Sequence, residues 1–379
     1  MKTNYFYKSN EIIYKDIINN DYQRDTPLEF DQVENGLVLP LTKNENSFNQ
    51  SGGIVDKFGN VNKKSLTLRN SPFKDTNYPN WYVGLGGYKI SDFNNLAVNN
   101  KKVIFLGAFP LHYGHFITEG LARLWIAKIF NPKDYLFIYI SSGNVKSHYL
   151  DFFSEVGIPK DNILRILNPI RFRSIIVPEA SIRLNDYYHN DFRGSVALNY
   201  SKQINLNTRK IFFTKGNKNG RSFGDFFISQ TLKMNNYELV NPEKLSLIET
   251  VKLLSKCSHF AASSGTNIHN SIFLRKGAHI ICFNRSSHIH PLQCMIDNMN
   301  QLNAIYVDCH LKFDNLNFSG GPYFFWPSKE FFEFSLILKK RITFFKTYIC
   351  YLFGAFGDLI EYIIFKLLRK FKRLFLRLF

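Results

Sequence analysis

Short apolar runs alternate with apolar residues at helical spacing from about residue 100 of the chain onward. The runs at 103–106, 135–140 and 173–178 predict buried parallel strands, because they are short and continuous. Residues 116–129 and 148–157 carry apolar side chains three and four positions apart, which predicts helices. Strands that alternate with helices indicate βαβ units around a parallel sheet.

A second series of the same kind begins near residue 209. Its predicted elements are strands at 210–215, 237–240, 259–263 and 278–283, and helices at 224–234, 242–257 and 266–277. Ser246 and Glu249 form a capping box inside the second of these helices. Residues 1–80 are rich in Asn, Asp, Ser and Gly and predict only short strands and turns.

The two series predict an α/β fold of two Rossmann-like domains with a cleft between them. The polar stretch 190–208 separates the series, so we expect an N-terminal domain over residues 1–200 and a C-terminal domain over 201–335. A tail over 336–379 follows. A chain of 379 residues is long enough for two domains that each bury a core.

Charge distinguishes the tail from the rest of the chain. The formal net charge is +18, and residues 339–379 hold ten basic and two acidic residues, a local charge of +8. From residue 364 onward apolar and basic residues fall on opposite faces of a helix, which predicts a basic amphipathic helix on an anionic membrane surface. Asp358 and Glu361 argue against a spanning helix over 348–365, since central charges cost about 3 kcal/mol each. Packing on a partner subunit is the alternative.

The cysteines and the first residues of the chain indicate the cellular compartment of the protein. The five cysteines form no CxxC pair, which predicts free thiols in a reducing compartment. The first residues are polar and predict no secretory signal. We therefore expect a cytoplasmic protein, peripheral on the inner face of the cell membrane. The basic excess is concentrated in the tail and not interleaved along a groove, so we do not expect nucleic-acid binding.

The motif HYGHFITE at 112–119 brings two histidines and a carboxylate to the end of a predicted strand. Ligands of open α/β sheets bind outside the carboxyl ends of the strands. If a helix begins near Gly114, His115 and Glu119 share one face. Imidazole can take a proton from a sugar hydroxyl, and a carboxylate can orient it or act as the base. His112, His115 and Glu119 are the candidate catalytic residues, although each also suits an ordinary helix start.

A second motif, SSGTNIHN at 263–270, follows a strand and opens a helix. Gly265 permits close approach of a ligand to the backbone, and N–H groups at a helix start can bind phosphate. Thr266, Asn267 and Asn270 add polar groups in the first turn. The same pattern is also that of a normally capped helix.

Two cations follow the strand at 210–215. Lys215 stands at its end and Arg221 lies in the loop beyond, where they can neutralise a diphosphate leaving group or form a solvated basic loop. His288 and His290 form an HxH pair, but neither this spacing nor that of His112 and His115 matches a zinc pattern. We expect no metal ion and no bound cofactor.

Together the motifs resemble glycosyltransferase family 61, in its bacterial capsule and lipopolysaccharide branch. The matching segments occur in order and cover about residues 50–335: GGIVDKFGN (52–60), VIFLGAFPLHYGHFITEGLARLW (103–125), FFTKGNKNGRS (212–222), NPEKLSLIETVKLLSKCSHFAASSGTNIHN (241–270) and GPYFFWPS (321–328). Ser264 and Lys215 depart from the histidine and arginine of many relatives.

The resemblance implies a GT-B-like architecture and inverting sugar transfer from a nucleotide-sugar donor without an obligatory metal. It assigns His112, His115 and Glu119 to the family's histidine-rich segment, Arg221 to its arginine, and Gly265, Thr266 and Asn270 to its helix start. The acceptor would be a growing surface polysaccharide or a lipid-linked glycan. A non-catalytic membrane-associated protein of polysaccharide assembly is the alternative, and a metal-dependent hydrolase is a weaker one. Other polysaccharide-assembly proteins are further candidate partners.

Overall fold

The computed structural model describes ten segments of the chain. They are residues 4–6, 21–43, 50–69, 83–84, 88–93, 95–196, 209–215, 222–286, 289–311 and 322–378. Arg221 and His288, which the sequence singles out, lie outside these segments.

The strands and helices follow one another along the whole chain. The strands are β1 (Asn4–Phe6), β2 (Phe30–Lys43), β3 (Gln50–Val55), β4 (Val83–Gly84), β5 (Val98–Ala108), β6 (Leu136–Ile140), β7 (Ile163–Arg165), β8 (Ile170–Pro178), β9 (Ile182–Arg183), β10 (Tyr187–Tyr188), β11 (Arg209–Phe213), β12 (Ser222–Phe223), β13 (Glu238–Val240), β14 (Cys257–Ser263), β15 (His279–Asn284), β16 (Asn303–Asp308) and β17 (Tyr323–Phe324). The α-helices are α1 (Tyr113–His115), α2 (Ser147–Glu155), α3 (Asn190–Val196), α4 (Phe226–Met234), α5 (Leu247–Ser255), α6 (Thr266–His269), α7 (Pro291–Asn300), α8 (Lys329–Leu336) and α9 (Phe344–Leu378).

The chain divides into two compact units. The N-terminal unit comprises Asn20–Lys202 and Ser246–Lys252, and the C-terminal unit comprises Met1–Asn19, Gln203–Leu245 and Leu253–Phe379. Each unit is an α/β structure that contains parallel strands.

The sheet of the N-terminal unit has the strand order β4-β3-β2-β8-β5-β6-β7. At its centre β5 pairs in parallel with β8 and β6, which confirms the strands predicted at 103–106, 135–140 and 173–178. The strand β2 instead runs antiparallel to β3 and β8. The sheet is therefore mixed, with a parallel half that carries the first motif at the end of β5.

The 14-residue strand β2 contradicts the prediction of short strands and turns for residues 1–80. Its central residues Leu37, Val38 and Leu39 are fully buried. Asn35 adopts a left-handed conformation inside the strand, with φ of 51°. The bend interrupts the alternation of apolar and polar positions that would have shown the strand's length.

The single helix predicted over 116–129 is also wrong. The segment forms the short helix α1, a π turn at Phe116–Gly120 and a 3-10 turn at Leu124–Lys128. Side chains from Phe116 to Ile126 are buried in succession, including Glu119 and Arg123. Because this segment is enclosed on all sides, the spacing of its apolar residues does not select one helical face.

The C-terminal unit contains a sheet with the order β1-β16-β15-β14-β11-β13, and every neighbouring pair in it is parallel. The strand order reverses between β11 and β14. Such a reversal leaves a crevice at the carboxyl ends of the two strands, where ligands of doubly wound sheets bind. Lys215 and the second motif follow these two strands.

Helix ends in the C-terminal unit refine the predictions. Ser246 and Glu249 form the predicted capping box, with the Ser246 N–H donating to Glu249 Oε2 (2.7 Å) and the Glu249 N–H donating to Ser246 Oγ (3.2 Å). These two residues belong to the segment that is grouped with the N-terminal unit. The helix predicted over 266–277 is shorter, since α6 passes into a 3-10 turn at Asn270–Phe273.

From Phe344 onward the tail forms one continuous helix, α9, which contacts α4 and β12 of its own unit. Tyr351 packs near Phe227 and Trp326, with ring centroids 6.3 and 5.0 Å away. Its part Phe344–Ile364 is long and apolar enough to cross a membrane by length and composition alone, with a mean hydropathy of 1.3.

Candidate active site

The carboxyl end of β5 leads directly into the first motif. Phe109 follows the strand, stacks on Tyr139 at 4.4 Å and donates its N–H to the Ile140 carbonyl (2.8 Å). His112 is extended and precedes α1, and its carbonyl accepts the Phe116 N–H (2.9 Å). These contacts fix the turn that presents the two histidines.

His115, Glu119 and Arg69 form a connected group of charged side chains. Nδ1 of His115 lies 2.9 Å from Oε2 of Glu119. Arg69 grips the same carboxylate with two nitrogens, Nε on Oε1 and Nη2 on Oε2, the second at 2.6 Å. The structure thus brings His115 and Glu119 together, as the spacing predicts, and adds an arginine from a distant loop.

Glu119 is an ionised carboxylate in a buried position. Only 5% of its side chain is exposed. Burial by itself raises the pKa of Glu119, but the charge of Arg69 and the close contact with His115 outweigh it, so the pKa lies below its ordinary value. Because Arg69 already balances its charge, Glu119 is better suited to orient His115 than to take a proton itself.

His115 is the accessible member of the group. Its side chain is 39% exposed, whereas its Nδ1 is a buried atom that lies 2.9 Å from Glu119 Oε2 without hydrogen-bond geometry. Nε2 is therefore the ring nitrogen that can exchange a proton with a substrate. His112 is also exposed, with its ring centroid 5.4 Å from that of His115.

The buried guanidinium of Arg123 lies close to the group formed by His115, Glu119 and Arg69. Arg123 donates to the carbonyls of Pro178 (2.9 Å), Lys64 (2.6 Å) and Leu66 (3.0 Å). Burial lowers the pKa of Arg123 to about 10. A cavity of about 240 Å³ opens beside Arg123 and Glu119. Its lining includes the carboxylates of Glu119 and Glu179 and the ring of Tyr187.

The crevice between β11 and β14 in the C-terminal unit holds the second motif. Asn267 spans it by donating Nδ2 to the Thr214 carbonyl (3.3 Å). Gly265 has φ of 103°, and a Cβ on it would lie 2.6 Å from Nη2 of Arg285. The Arg285 guanidinium in turn stacks on the ring of Tyr323 at 4.1 Å. Gly265 is therefore required both by its backbone conformation and by the arginine packed on it.

Arg285 follows β15 at the same edge of the sheet. Its N–H donates to Ser264 Oγ (3.1 Å), which ties it to the turn of the second motif. Ser264 thus positions an arginine. Its guanidinium lies against the turn that the sequence assigns to phosphate binding.

The other predicted donor contacts have structural partners. Lys215 Nζ donates to Asp358 Oδ1 (2.5 Å) and to the Ser222 carbonyl (2.9 Å), and lies 3.3 Å from Asp225. Asn270 is buried and donates to the carbonyls of Thr266 and Asn267. Lys215 therefore joins the end of β11 to α9, and Asn270 stabilises the end of α6.

A buried polar network lies behind α6. His269 Nδ1 is 3.0 Å from Gln293 Oε1, and Gln293 Nε2 donates to Asp297 Oδ1 (2.8 Å). The Tyr306 hydroxyl also donates to Asp297. Burial raises the pKa of Asp297 to about 7. The network fixes the position of α6, and with it the turn at Gly265.

Histidines occur in both motifs and are common metal ligands. Within the described segments no group of three or more His, Cys, Asp or Glu side chains is arranged to hold a metal ion. His290 instead caps α7, accepting the Leu292 N–H on Nδ1 (3.2 Å).

Residues 113–281 match the family model described as Glycosyltransferase 61. The chain carries a glycosyltransferase family 61 domain. The match contains His115, Glu119, Lys215 and the motif 263–270. The protein is accordingly a glycosyltransferase, which favours the enzyme over the non-catalytic alternative. No curated protein matches the chain in sequence.

Two arginines of this transferase were missed by sequence reasoning. Arg69 lies 50 positions before Glu119, so no local motif joins them. Arg285 follows a strand predicted at 278–283, so the sequence places a cation at the end of this strand just as it places Lys215 at the end of another. That signal could have identified Arg285, whereas the Arg69 contact depends on long-range folding.

Proposed function

We propose that the transferase moves a sugar from a nucleotide-sugar donor to a growing surface polysaccharide of the capsule or lipopolysaccharide type. The observation that carries the proposal is His115, an accessible imidazole held by an ionised and buried carboxylate at the end of β5. This arrangement suits general-base activation of an acceptor hydroxyl. The finer GT-B arrangement, with a cleft that receives donor and acceptor, is part of the proposal.

The proposed reaction is a single displacement with inversion. His115 Nε2 takes the proton of the acceptor hydroxyl while the hydroxyl oxygen forms a bond to the anomeric carbon of the donor. The bond from that carbon to the diphosphate oxygen breaks, and the nucleoside diphosphate leaves with the electron pair. Glu119 and Arg69 orient His115, and His112 lies beside it as a further acceptor-side contact.

On the donor side we propose that Arg285 neutralises the diphosphate at the turn formed by Gly265 and Thr266. A guanidinium binds phosphate oxygens in a bidentate manner and stabilises charge that develops on the leaving group. In this proposal cationic side chains neutralise the diphosphate, a role that a metal ion fills in other transferases. Arg221, Asn267 and Asn270 remain proposed donor-side residues, with Asn270 acting through the backbone.

We also propose that the protein works on the inner face of the cell membrane, attached through its basic tail. The support is the charge of +8 in residues 339–379 together with the apolar surface of α9. A membrane location would bring the enzyme to a lipid-linked or membrane-borne glycan.

A donor screen tests the proposal. The purified full-length chain is incubated with UDP-, GDP- and CMP-sugars and a polysaccharide acceptor, with and without a chelator. We expect transfer from one donor class with inversion at the anomeric carbon, unchanged by the chelator. Calorimetry that detects binding of no nucleotide sugar would contradict the proposal.

Arg285→Met extends the screen to the donor site. We expect a donor KM about tenfold to a hundredfold higher, as for loss of one charge-assisted contact. Lys276→Met, at an exposed position of the same unit, is the matched control and should leave KM unchanged. Equal donor KM values for both variants would remove Arg285 from the site.

A further inference from the structure

The helix α9 has two faces of opposite character. Towards its own unit it presents Asp358, whose Oδ1 accepts from Lys215 Nζ (2.5 Å) and whose Oδ2 accepts from the Gly224 N–H (2.7 Å). Packing on this side is close, because a Cβ on Gly354 would lie 2.4 Å from Cβ of Phe226. The inner face is therefore bound to the C-terminal unit.

The opposite face is a continuous apolar surface. Over residues 344–367, with about 100° of rotation per residue, seven positions fall within about 40° of the direction opposite Asp358. All seven carry large apolar side chains that are not buried: Phe345, Ile349, Phe353, Phe356, Ile360, Ile363 and Leu367. Their exposed fractions run from 37% for Ile349 to 75% for Phe345. A large contiguous apolar patch of this kind marks a surface that binds a protein or a membrane.

Positive charges border this surface. Lys346 and Lys366 are exposed and lie to either side of the apolar row, at about 60° and 100° from its centre by the same rotation. Lys339, Lys340 and Arg341 are exposed just before the helix. An apolar surface bordered by cations complements an anionic lipid surface, whose headgroups are negative and whose interior is apolar.

Asp358 restricts the orientation that α9 can adopt relative to a membrane. It lies within the stretch Phe344–Ile364 that is long enough to span a bilayer. A spanning helix would carry Asp358 and its partners Lys215 and Gly224, with the loop and strand that hold them, into the hydrocarbon. Charged groups there are costly, and irregular backbone exposed to lipid is not tolerated.

We infer that α9 lies flat in an anionic membrane surface, with the seven-residue row in the lipid and Asp358 directed away from it. The inference rests on the proposed membrane attachment and adds the orientation. Lys215 follows β11 at the carboxyl edge of the sheet, so the donor-side edge is held about one helix diameter, roughly 10 Å, from the lipid. The enzyme would thus work on a glycan presented at that surface.

Flotation with vesicles tests the attachment. The full-length chain is mixed with vesicles of phosphatidylcholine and phosphatidylglycerol, and with vesicles of phosphatidylcholine alone. We expect flotation with the anionic vesicles and at least about tenfold weaker binding for the combined substitution of Phe353→Asn, Phe356→Asn and Ile360→Asn. The control combines Ile129→Asn, Leu164→Asn and Leu167→Asn, which are exposed apolar residues of the N-terminal unit. Absence of flotation, or equal loss in both triple variants, would overturn the inference.

Depth measurements test the orientation separately. Cys350 is the cysteine that is not buried, so Cys350→Ser is combined in turn with Phe345→Cys, Phe356→Cys and Ile363→Cys for labelling with a fluorophore. Quenching by lipids spin-labelled at two depths should place all three labels at the same shallow depth, roughly 5–10 Å below the headgroup boundary. A spanning helix would separate the first and last labels by about 27 Å along its axis. A graded series of depths in protein that floats would overturn the flat orientation while leaving membrane attachment and sugar transfer intact.

Discussion

Single residues at both candidate sites are defined by neighbours that are far away in the sequence. Glu119 is ionised although it is buried, because Arg69 and His115 contact its carboxylate. The spacing in HYGHFITE predicts the His115 contact, which is confirmed. The same spacing does not predict the contact with Arg69, because Arg69 reaches Glu119 only when the N-terminal unit is folded.

Gly265 gives the sharpest test of the donor-side turn. Gly265→Ala must adopt a strained φ and must also displace the Arg285 guanidinium. Gly277→Ala is a matched control, because Gly277 also has positive φ, 73°, but has nothing within 4 Å of the added Cβ. Both variants should lose about 1–2 kcal/mol of unfolding free energy from strain. Only Gly265→Ala should also weaken donor binding, as measured by calorimetry, and equal donor affinity in the two variants would contradict the role of this turn.

Asp297 predicts a pH dependence of stability. Its pKa is raised from 3.8 to about 7 by burial, so the stability that depends on its protonated form is present below pH 3.8 and is lost as the pH rises through about 7. The loss amounts to at most about 4 kcal/mol for a shift of this size. Urea unfolding from pH 4 to 8 should show this decline in the native protein and a flatter profile in Asp297→Asn. A native profile that rises over the same interval would contradict the assignment.

At the scale of elements, regular strands and surface helices were predicted well from the sequence. The strands β5, β6, β8, β11, β13, β14 and β15 and the helices α2 and α4 all occur where periodicity places them. The failures are β2 and the segment Tyr113–Lys128. In β2 a left-handed Asn35 breaks the pattern, and in the second segment burial on all sides removes the difference between faces. The candidate base sits in this irregular segment, where local rules are least informative.

The helix α9 also differs from its sequence expectation in one respect. Its amphipathic character is evident from the sequence, but its contacts with Lys215 and Gly224 are not. Asp358 was interpreted only as a charge that disfavours insertion. The structure adds a positive role for it, as the group that fastens the helix to its own unit.

Asp358→Asn measures that role. The substitution removes the charge that pairs with Lys215 at 2.5 Å, and we expect a loss of about 1–3 kcal/mol of unfolding free energy. Glu361→Gln makes the same change of charge on the same helix at an exposed position, and should stay within about 0.5 kcal/mol of the native protein. Urea unfolding of the full-length variants gives both values. Equal stability of the two variants would show that α9 is not fastened through Asp358.

At the scale of the whole molecule, the sequence predicted an α/β protein with two series of strands and helices. The all-parallel sheet of the C-terminal unit matches that expectation, and the mixed sheet of the N-terminal unit departs from it through β2. The pairing of β1 with β16 in the C-terminal unit had no signal in the sequence, since β1 is only three residues long and its partner Ile305–Val307 is distant in the chain.

The central claim is that His115, oriented by Glu119, activates the acceptor in sugar transfer. The most direct measurement is the steady-state transfer rate of His115→Ala with the donor found in the screen, compared with His279→Ala at the exposed start of β15. The account predicts that His115→Ala lowers kcat about 10²- to 10⁴-fold, with donor affinity and unfolding free energy close to those of the native protein, and that His279→Ala transfers sugar at the native rate. Native turnover in His115→Ala would contradict the account.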